Sequence, residues 1–253
     1  MEHALQKASL GKRIAAGILD GILICILATG FAFLLSVLLG YDGYYQTLTD
    51  GYSRYETQYG VSFDISQEEY AAMTDAAREN WDAAYKAFSQ DAEVTKAYNV
   101  VLNLTLVIAS VAILLSVLAW EFAVPLLLHN GQTVGKKVFS LGLVRVDGVQ
   151  VTNLQLMVRA LLGKFTLEIM IPVFVILMAF WGISGLIGPI VLLALLVAQA
   201  ICLCVSKTNA LLHDQMAGTA VVDISSQRIF RSTEDLIAYQ KQVAAERAAR
   251  QTY

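Results

Sequence analysis

Apolar residues in this chain gather in long uninterrupted blocks, not in the short alternations of a half-buried sheet. Ile14–Gly40 and Val100–Leu128 form blocks of about 27 and 29 residues, and Phe165–Val205 runs for about 41. A helix crosses a bilayer in about 20 residues, so the last block holds two helices joined by a turn near Gly182-Ile-Ser-Gly185. The pattern predicts four spans. Three spans, with half of the last block re-entrant or flat in the interface, is the alternative.

The polar stretches between the blocks carry their own signals. Residues 41–99 begin with Tyr41, Tyr44, Tyr45, Tyr52, Tyr55 and Tyr59, interleaved with glycines, and hold nine of the eleven tyrosines. Ser66-Gln-Glu-Glu69 is a capping box, which predicts a helix start, and Tyr70–Tyr98 continues with aromatic residues at helical spacing. In 129–164, Asp147-Gly148 between the apolar runs Val138–Val146 and Val149–Val151 predicts a β-hairpin. Thr152-Asn153 then caps a helix that carries Arg159 and Lys164 into the third span. After the fourth span, Gly218 ends a short helix and Ala220–Val222 adds a strand to the hairpin, while Ser232–Arg250 forms a terminal helix. The expected architecture is therefore an all-α membrane protein with a small cytosolic β-hairpin or mini-sheet and a helical extracytoplasmic insertion. Its segments are 1–40, 41–99, 100–128, 129–164, 165–205 and 206–253.

Composition agrees with this class: 57% of the 253 residues are apolar, only 15% are charged, and the mean hydropathy is +0.57. Charge placement adds orientation. Residues 41–99 hold four Lys/Arg against eleven Asp/Glu, whereas 129–164 hold five against one. The leader adds Lys7, Lys12 and Arg13, and the tail after Val205 adds six more basic residues. The positive-inside rule then puts both termini and the 129–164 loop in the cytosol, with 41–99 outside. Only an even number of spans satisfies all three basic segments. The net charge of −3 comes from the outer segment and gives no indication of nucleic-acid binding.

Other chemistries find little support. The first block is too long, and too acidic inside, for a cleaved signal peptide. Cys25, Cys202 and Cys204 lie inside predicted spans and read as packing residues, so no disulfide, metal or cofactor framework follows. Gly131-Gln-Thr-Val-Gly135-Lys136-Lys137 invites a phosphate-loop reading that fails. Only three residues separate the glycines, Lys137 stands where Ser or Thr belongs, and the strand–loop–helix order is reversed. Lys136 and Lys137 read instead as contacts to anionic inner-leaflet headgroups, at about 1 kcal/mol per charge. No nucleophile–base pair appears, and an enzyme is not expected. The aromatic 41–99 segment reads either as a solvated lid with headgroup-level tyrosines or as a cation funnel or partner face.

The candidate chemistry sits inside the spans. Asp20 lies about two turns below Arg13 on the same face of the first helix, at a depth where a carboxylate costs about 2.5–3.5 kcal/mol unless partnered. Gly17-Ile-Leu-Asp-Gly21 has the spacing that admits a close helix neighbour. Burial favours the neutral carboxyl, while Arg13 or a bound cation favours the carboxylate; a group so balanced can exchange a proton for a cation. The alternative is an Asp20–Arg13 pair that locks packing. Glu121 lies at comparable depth in the second span, either sharing a cation site with Asp20 or bonded to Arg159 or Arg13. Glu168 reads as interfacial. Asp214 reads as a cap or as a partner of Arg145 or Lys137, and His213 either as structural or as a relay near neutral pH.

Three blocks resemble the RDD family of integral membrane proteins, named for one arginine and two aspartates. Lys12-Arg13 through Asp20 matches the arginine and first aspartate. Gly131, Thr133, Gly135 and Lys136 through Val146-Asp-Gly148, with Arg159 downstream, is similar to the central signature. His213-Asp214 followed by Ala217-Gly218-Thr219 matches the second aspartate. Two features depart from the pattern: the nearest basic residue before the His-Asp pair is Lys207, and the tyrosine-rich segment has no counterpart. The resemblance implies a bacterial multi-span protein with a transport role, and some relatives look like sodium/proton antiporters. Two functions follow as expectations. One is a small transporter or monovalent cation/proton antiporter subunit, with Asp20 central, Arg13 its counter-ion and Asp214 at the cytosolic mouth. So thin a bundle implies a homo-oligomer or a partner membrane subunit. The other is a non-transporting scaffold that docks a partner.

Overall fold

The computed structural model describes residues 5, 8–128, 131–183, 185–206 and 208–251. Lys7, Lys207 and Ser184 of the expected turn lie outside the described residues. Among the described residues, four helices are long and apolar enough to cross a membrane: α1 (Leu10–Leu38), α5 (Ala92–Leu127), α7 (Asn153–Phe180) and α8 (Ile187–Val205). The expected two helices in the last apolar block are both present. Gly182 and Gly185, at φ 71° and 48°, form the turn between them, a conformation glycine adopts without steric cost.

The chain divides into two compact units, one of residues 29–112 and one of everything before and after. In the 29–112 unit, α2 (Tyr41–Tyr59), α3 (Gln67–Ala72) and α4 (Asp75–Gln90) precede the first turns of α5. The Ser66/Glu69 capping box forms as expected. The tyrosine–glycine run is helical, as expected of this segment, and forms α2. Gly40 and Gly60 delimit it in left-handed conformations, and Gly51 lets Val94 approach so closely that a Cβ would meet Val94 Cγ2 at 2.6 Å. Leu48, Phe88, Val94 and Ala97 form the unit's core, edged by Tyr52, Tyr55 and Phe63. Asp91 starts α5 by accepting from the Glu93 and Val94 amides, and its other oxygen pairs with Arg54 at 2.5 Å. The second long helix therefore begins at Ala92, eight residues before the apolar block.

In the other unit, α6 (Val134–Val138), β1 (Leu141–Arg145), α9 (Leu212–Met216), β2 (Thr219–Asp223) and α10 (Thr233–Gln251) gather around the polar ends of the long helices. The Asp147-Gly148 turn forms, with Gly148 at φ 86° and the Arg145 amide bonded to Val149 O at 2.9 Å. Its second arm contributes a single bridge, Val144 to Gln150. The main ladder is instead β1 with β2, antiparallel, running from Leu141↔Asp223 to Arg145↔Thr219. One side packs Leu141, Leu143 and Val221 with Leu156 and Ala16. Beside Gly142 lies Ile224, close enough that a side chain there would clash.

α7 opens with a Thr152/Gln155 capping box and passes through π-helical turns over Val158–Met170; α5 has a shorter π stretch over Ala119–Ala123. In each helix a proline follows, Pro125 and Pro172. The wider turns rotate the side chains after them, and such bulges concentrate at functional sites.

Candidate functional site

α1 is attached to the rest of its unit mainly through one end. Lys12 Nζ pairs with Asp223 at 2.5 Å, and Arg13 Nη1 donates to Asn209 O at 2.5 Å while Nη2 lies 3.6 Å from Asp214 Oδ2. The Asp223 carboxyl is held at about 2 by the Lys12 hydrogen bond and by Ser225. Asp20 is buried and takes three donors: Thr133 Oγ1 at 2.5 Å, the Gly135 amide at 2.8 Å and Trp120 Nε1 at 2.9 Å. Thr133 also caps α6, so the loop aims a hydroxyl and a free first-turn amide at one carboxylate. Gly135 is required by closeness, since a Cβ would sit 2.8 Å from Asp20 Cγ.

Several expectations are corrected here. Asp20 is not paired with Arg13: the two share a face of α1 but reach different partners. Among the described residues no helix of this chain packs on Gly17 or Gly21, where an added Cβ meets nothing within 4 Å. Lys136 does not face headgroups. It is buried, with Nζ donating to Thr133 Oγ1 at 3.3 Å, whereas Lys137 is exposed. Burial lowers the Lys136 ammonium to about 8, partly offset by Glu121.

The second half of the site centres on Arg159, which is 3% exposed. Its Nε donates to Asp214 Oδ1 at 2.8 Å, its Nη2 to His213 Nε2 at 3.0 Å, and its Nη1 lies 3.9 Å from Glu121 Oε2. Glu121 Oε1 accepts from Lys164 Nζ. Asp214 therefore pairs with Arg159 and Arg13, not with Arg145 or Lys137. Arg145 bonds Asp147. Burial raises the Asp214 carboxyl, but the Arg159 guanidinium more than offsets this and holds it below the usual carboxylate range.

Because Arg159 donates to Nε2, the His213 proton resides on Nδ1, which donates to Glu168 Oε1 at 2.6 Å. Glu168 also accepts from Gln199 Nε2, so it is a member of the network and not an interfacial group. Burial, and then Arg159, lower the His213 imidazole below its ordinary value. Gly163 makes room: a Cβ there would lie 2.5 Å from His213 Cβ. Of the residues expected from the sequence, Arg13, Arg159, His213, Asp214 and Glu121 form one network. Asp20, Thr133, Gly135 and Lys136 form a second cluster beside it. Gly131 supports the loop from behind, at φ 64° and against Leu156 and Val151. Asp20 and Glu121 are not bonded to each other; both face one cavity of about 410 Å³. That cavity is lined by four carboxylates (Asp20, Glu121, Glu168, Asp214) and four cations (Arg13, Lys136, Arg159, Lys164). Two carboxylate oxygens, Glu121 Oε2 and Asp214 Oδ2, are buried with no hydrogen-bond donor among the described residues. Sequence reasoning missed Trp120, Lys164, Glu168 and Gln199 as participants. Lys164 and Glu168, a turn apart on a helix already carrying Arg159, were the available signal.

The sequence profile of the RDD family matches residues 7–218. The chain belongs to the RDD family. It is thus an RDD-family membrane protein, and both halves of the site fall within the matched region. No curated protein and no solved structure matches it.

Proposed function

We propose that this RDD protein is a small transporter that exchanges a monovalent cation for a proton through the charged cavity, with Glu121 as the exchanging carboxylate. The observation that carries this reading is Glu121 Oε2, a buried carboxylate oxygen with no hydrogen-bond donor among the described residues, on a side chain that lines the cavity. A buried carboxylate oxygen without a hydrogen-bond donor is costly at membrane depth even where the group is ion-paired through its other oxygen, and a proton or cation relieves that cost. Asp20 has a different part. Its three donors suit it to fixing α1 to the 131–138 loop, so it supports exchange by positioning and does not carry the ion.

The reading includes an orientation from the Lys/Arg distribution: a bacterial cell membrane, both termini and the mini-sheet cytosolic, residues 41–99 outside. It also includes a homo-oligomer or partner membrane subunit, because the most apolar stretch of α1 has no residue buried inside the protein. Anionic inner-leaflet headgroups would meet the exposed Lys137.

A non-transporting scaffold is the second reading. The saturated Asp20 carboxylate favours it, since a fully bonded group has no need to change state. Cation-driven proton flux in proteoliposomes separates the two. Flux in the wild type that is lost in Glu121→Gln at equal incorporation supports exchange. No flux from folded protein across several cations supports the scaffold.

A further inference from the structure

We propose that the cavity is a binding site for a primary-amine zwitterion, a molecule carrying one ammonium and one anionic group. Three observations converge on this chemistry. The lining charges are balanced, four against four, so a zwitterion leaves the cavity neutral. The unused acceptors, Glu121 Oε2 and Asp214 Oδ2, need N–H or O–H donors. The unused donors are on ammonium groups: Lys136 and Lys164 each donate one hydrogen bond among the described residues, and an ammonium has three N–H. An ammonium end satisfies the first pair, and a phosphate or carboxylate end satisfies the second.

The cavity's shape adds to this. Its volume of about 410 Å³ suits a small polar ligand. It follows one face of α1 from Leu10 to Ile24, about 21 Å at helical rise, and apolar Leu10, Ile14, Ile24 and Leu203 flank its charged middle. Gly17 and Gly21 also line it, with nothing within 4 Å of a Cβ built on either. Two sources offer the required chemistry, the headgroup of an aminophospholipid and a free amino acid-like solute. The inference goes beyond ion exchange and does not depend on it, because occupancy is measurable where no ion moves.

The test uses purified full-length protein in detergent, with retention of added lipid read by native mass spectrometry and stabilisation read by thermal unfolding. The probes are phosphatidylethanolamine, phosphatidylcholine and phosphatidylglycerol of identical chains, together with free phosphoethanolamine and alanine. A quaternary ammonium has no N–H to give Glu121 or Asp214, and phosphatidylglycerol has no cation. The expected result is that phosphatidylethanolamine is held about tenfold more tightly than the other two lipids, the scale of one charge-assisted hydrogen bond. Glu121→Gln should abolish that preference, while Lys241→Gln, at an exposed position on α10, should keep it. Protection by the free zwitterions with no lipid preference supports the site with a soluble ligand. Equal retention of the ethanolamine and choline lipids without effect of the free zwitterions, or preference for phosphatidylglycerol, overturns the proposal. The wild-type comparison decides this even if Glu121→Gln fails to fold.

Discussion

Thr133 Oγ1 donates to Asp20 Oδ2 at 2.5 Å, joining a helix and a loop that lie 113 residues apart in the chain. With the Gly135 amide and Trp120 Nε1, this contact is how the buried part of α1 is held. Thr133→Val keeps the shape but strands a carboxylate oxygen, at an expected cost of about 1–3 kcal/mol. Thr133→Ser should retain most of the stability. Gly135→Ala should cost about 1–3 kcal/mol by overpacking, because its Cβ would press on Asp20 Cγ. Thermal unfolding of the detergent-solubilised variants checks all three. Equal stability of Thr133→Val and the wild type would refute the latch.

Arg159 serves three partners at once, so its removal should be the most damaging single change in the network. Arg159→Met leaves Asp214 buried beside only Arg13 and leaves Glu121 with Lys164 alone, at an expected cost of about 3–5 kcal/mol. The double variant Arg159→Met/Asp214→Asn should recover part of that loss, since the stranded charge is gone. A double-mutant cycle on unfolding free energies measures the coupling. Additive losses would mean that the pair is not an energetic unit.

Much of this fold can be read in the chain, for identifiable reasons. The spans follow from hydropathy, and the helix starts at Ser66 and Thr152 from local capping, which depends on neighbours three residues away. The mini-sheet was legible as alternation. Its true pairing was less so, because β2 brings a full five-residue register whereas Gln150 offers one bridge. A helical 41–99 segment was legible, but the bounds of α2 were not, because glycine and tyrosine weaken helical propensity and packing of Gly51 on Val94 overrides that. Charges that belonged together were visible; their partners were not. Asp20 takes a backbone amide as a donor, which no residue type announces. Lys136 looks like a surface lysine until the loop folds it inward.

His213 should make stability sensitive to mild acid. Its imidazole is lowered by burial and by Arg159, so the native state keeps it neutral while the unfolded chain protonates near 6.5. The unfolded state then binds more protons below that value. Stability is full above about pH 6.5 and falls as pH drops below it, by about 1.4 kcal/mol for each unit by which the native value is depressed. His213→Gln should flatten the dependence between pH 6.5 and 5. Asp214 adds a loss only at still lower pH, because its depressed native value lies below the unfolded carboxylate range. Thermal midpoints across pH 4.5–8 check this, and an unchanged slope in the variant would remove His213 from the account.

Lys136 should titrate in the mildly alkaline range, well below a free lysine. Burial brings its ammonium to about 8, against 10.5 for a free side chain. Between these values the native state is deprotonated while the unfolded chain is still charged. Stability should therefore rise with pH from about 8 to 10.5 and be independent of this group below 8. The groups facing the amine are Glu121 and Asp20, which hold the proton on, and Arg159 and Lys164, which help drive it off. Glu121→Gln should consequently move the Lys136 midpoint downward, and Lys164→Met should move it upward. Lysine-selective carbon-13 labelling, with Lys136→Arg identifying the resonance, reads the midpoint directly. A midpoint above 10 in the wild type would mean that water reaches the amine freely, and that the Lys136–Thr133–Asp20 chain is not sealed from solvent.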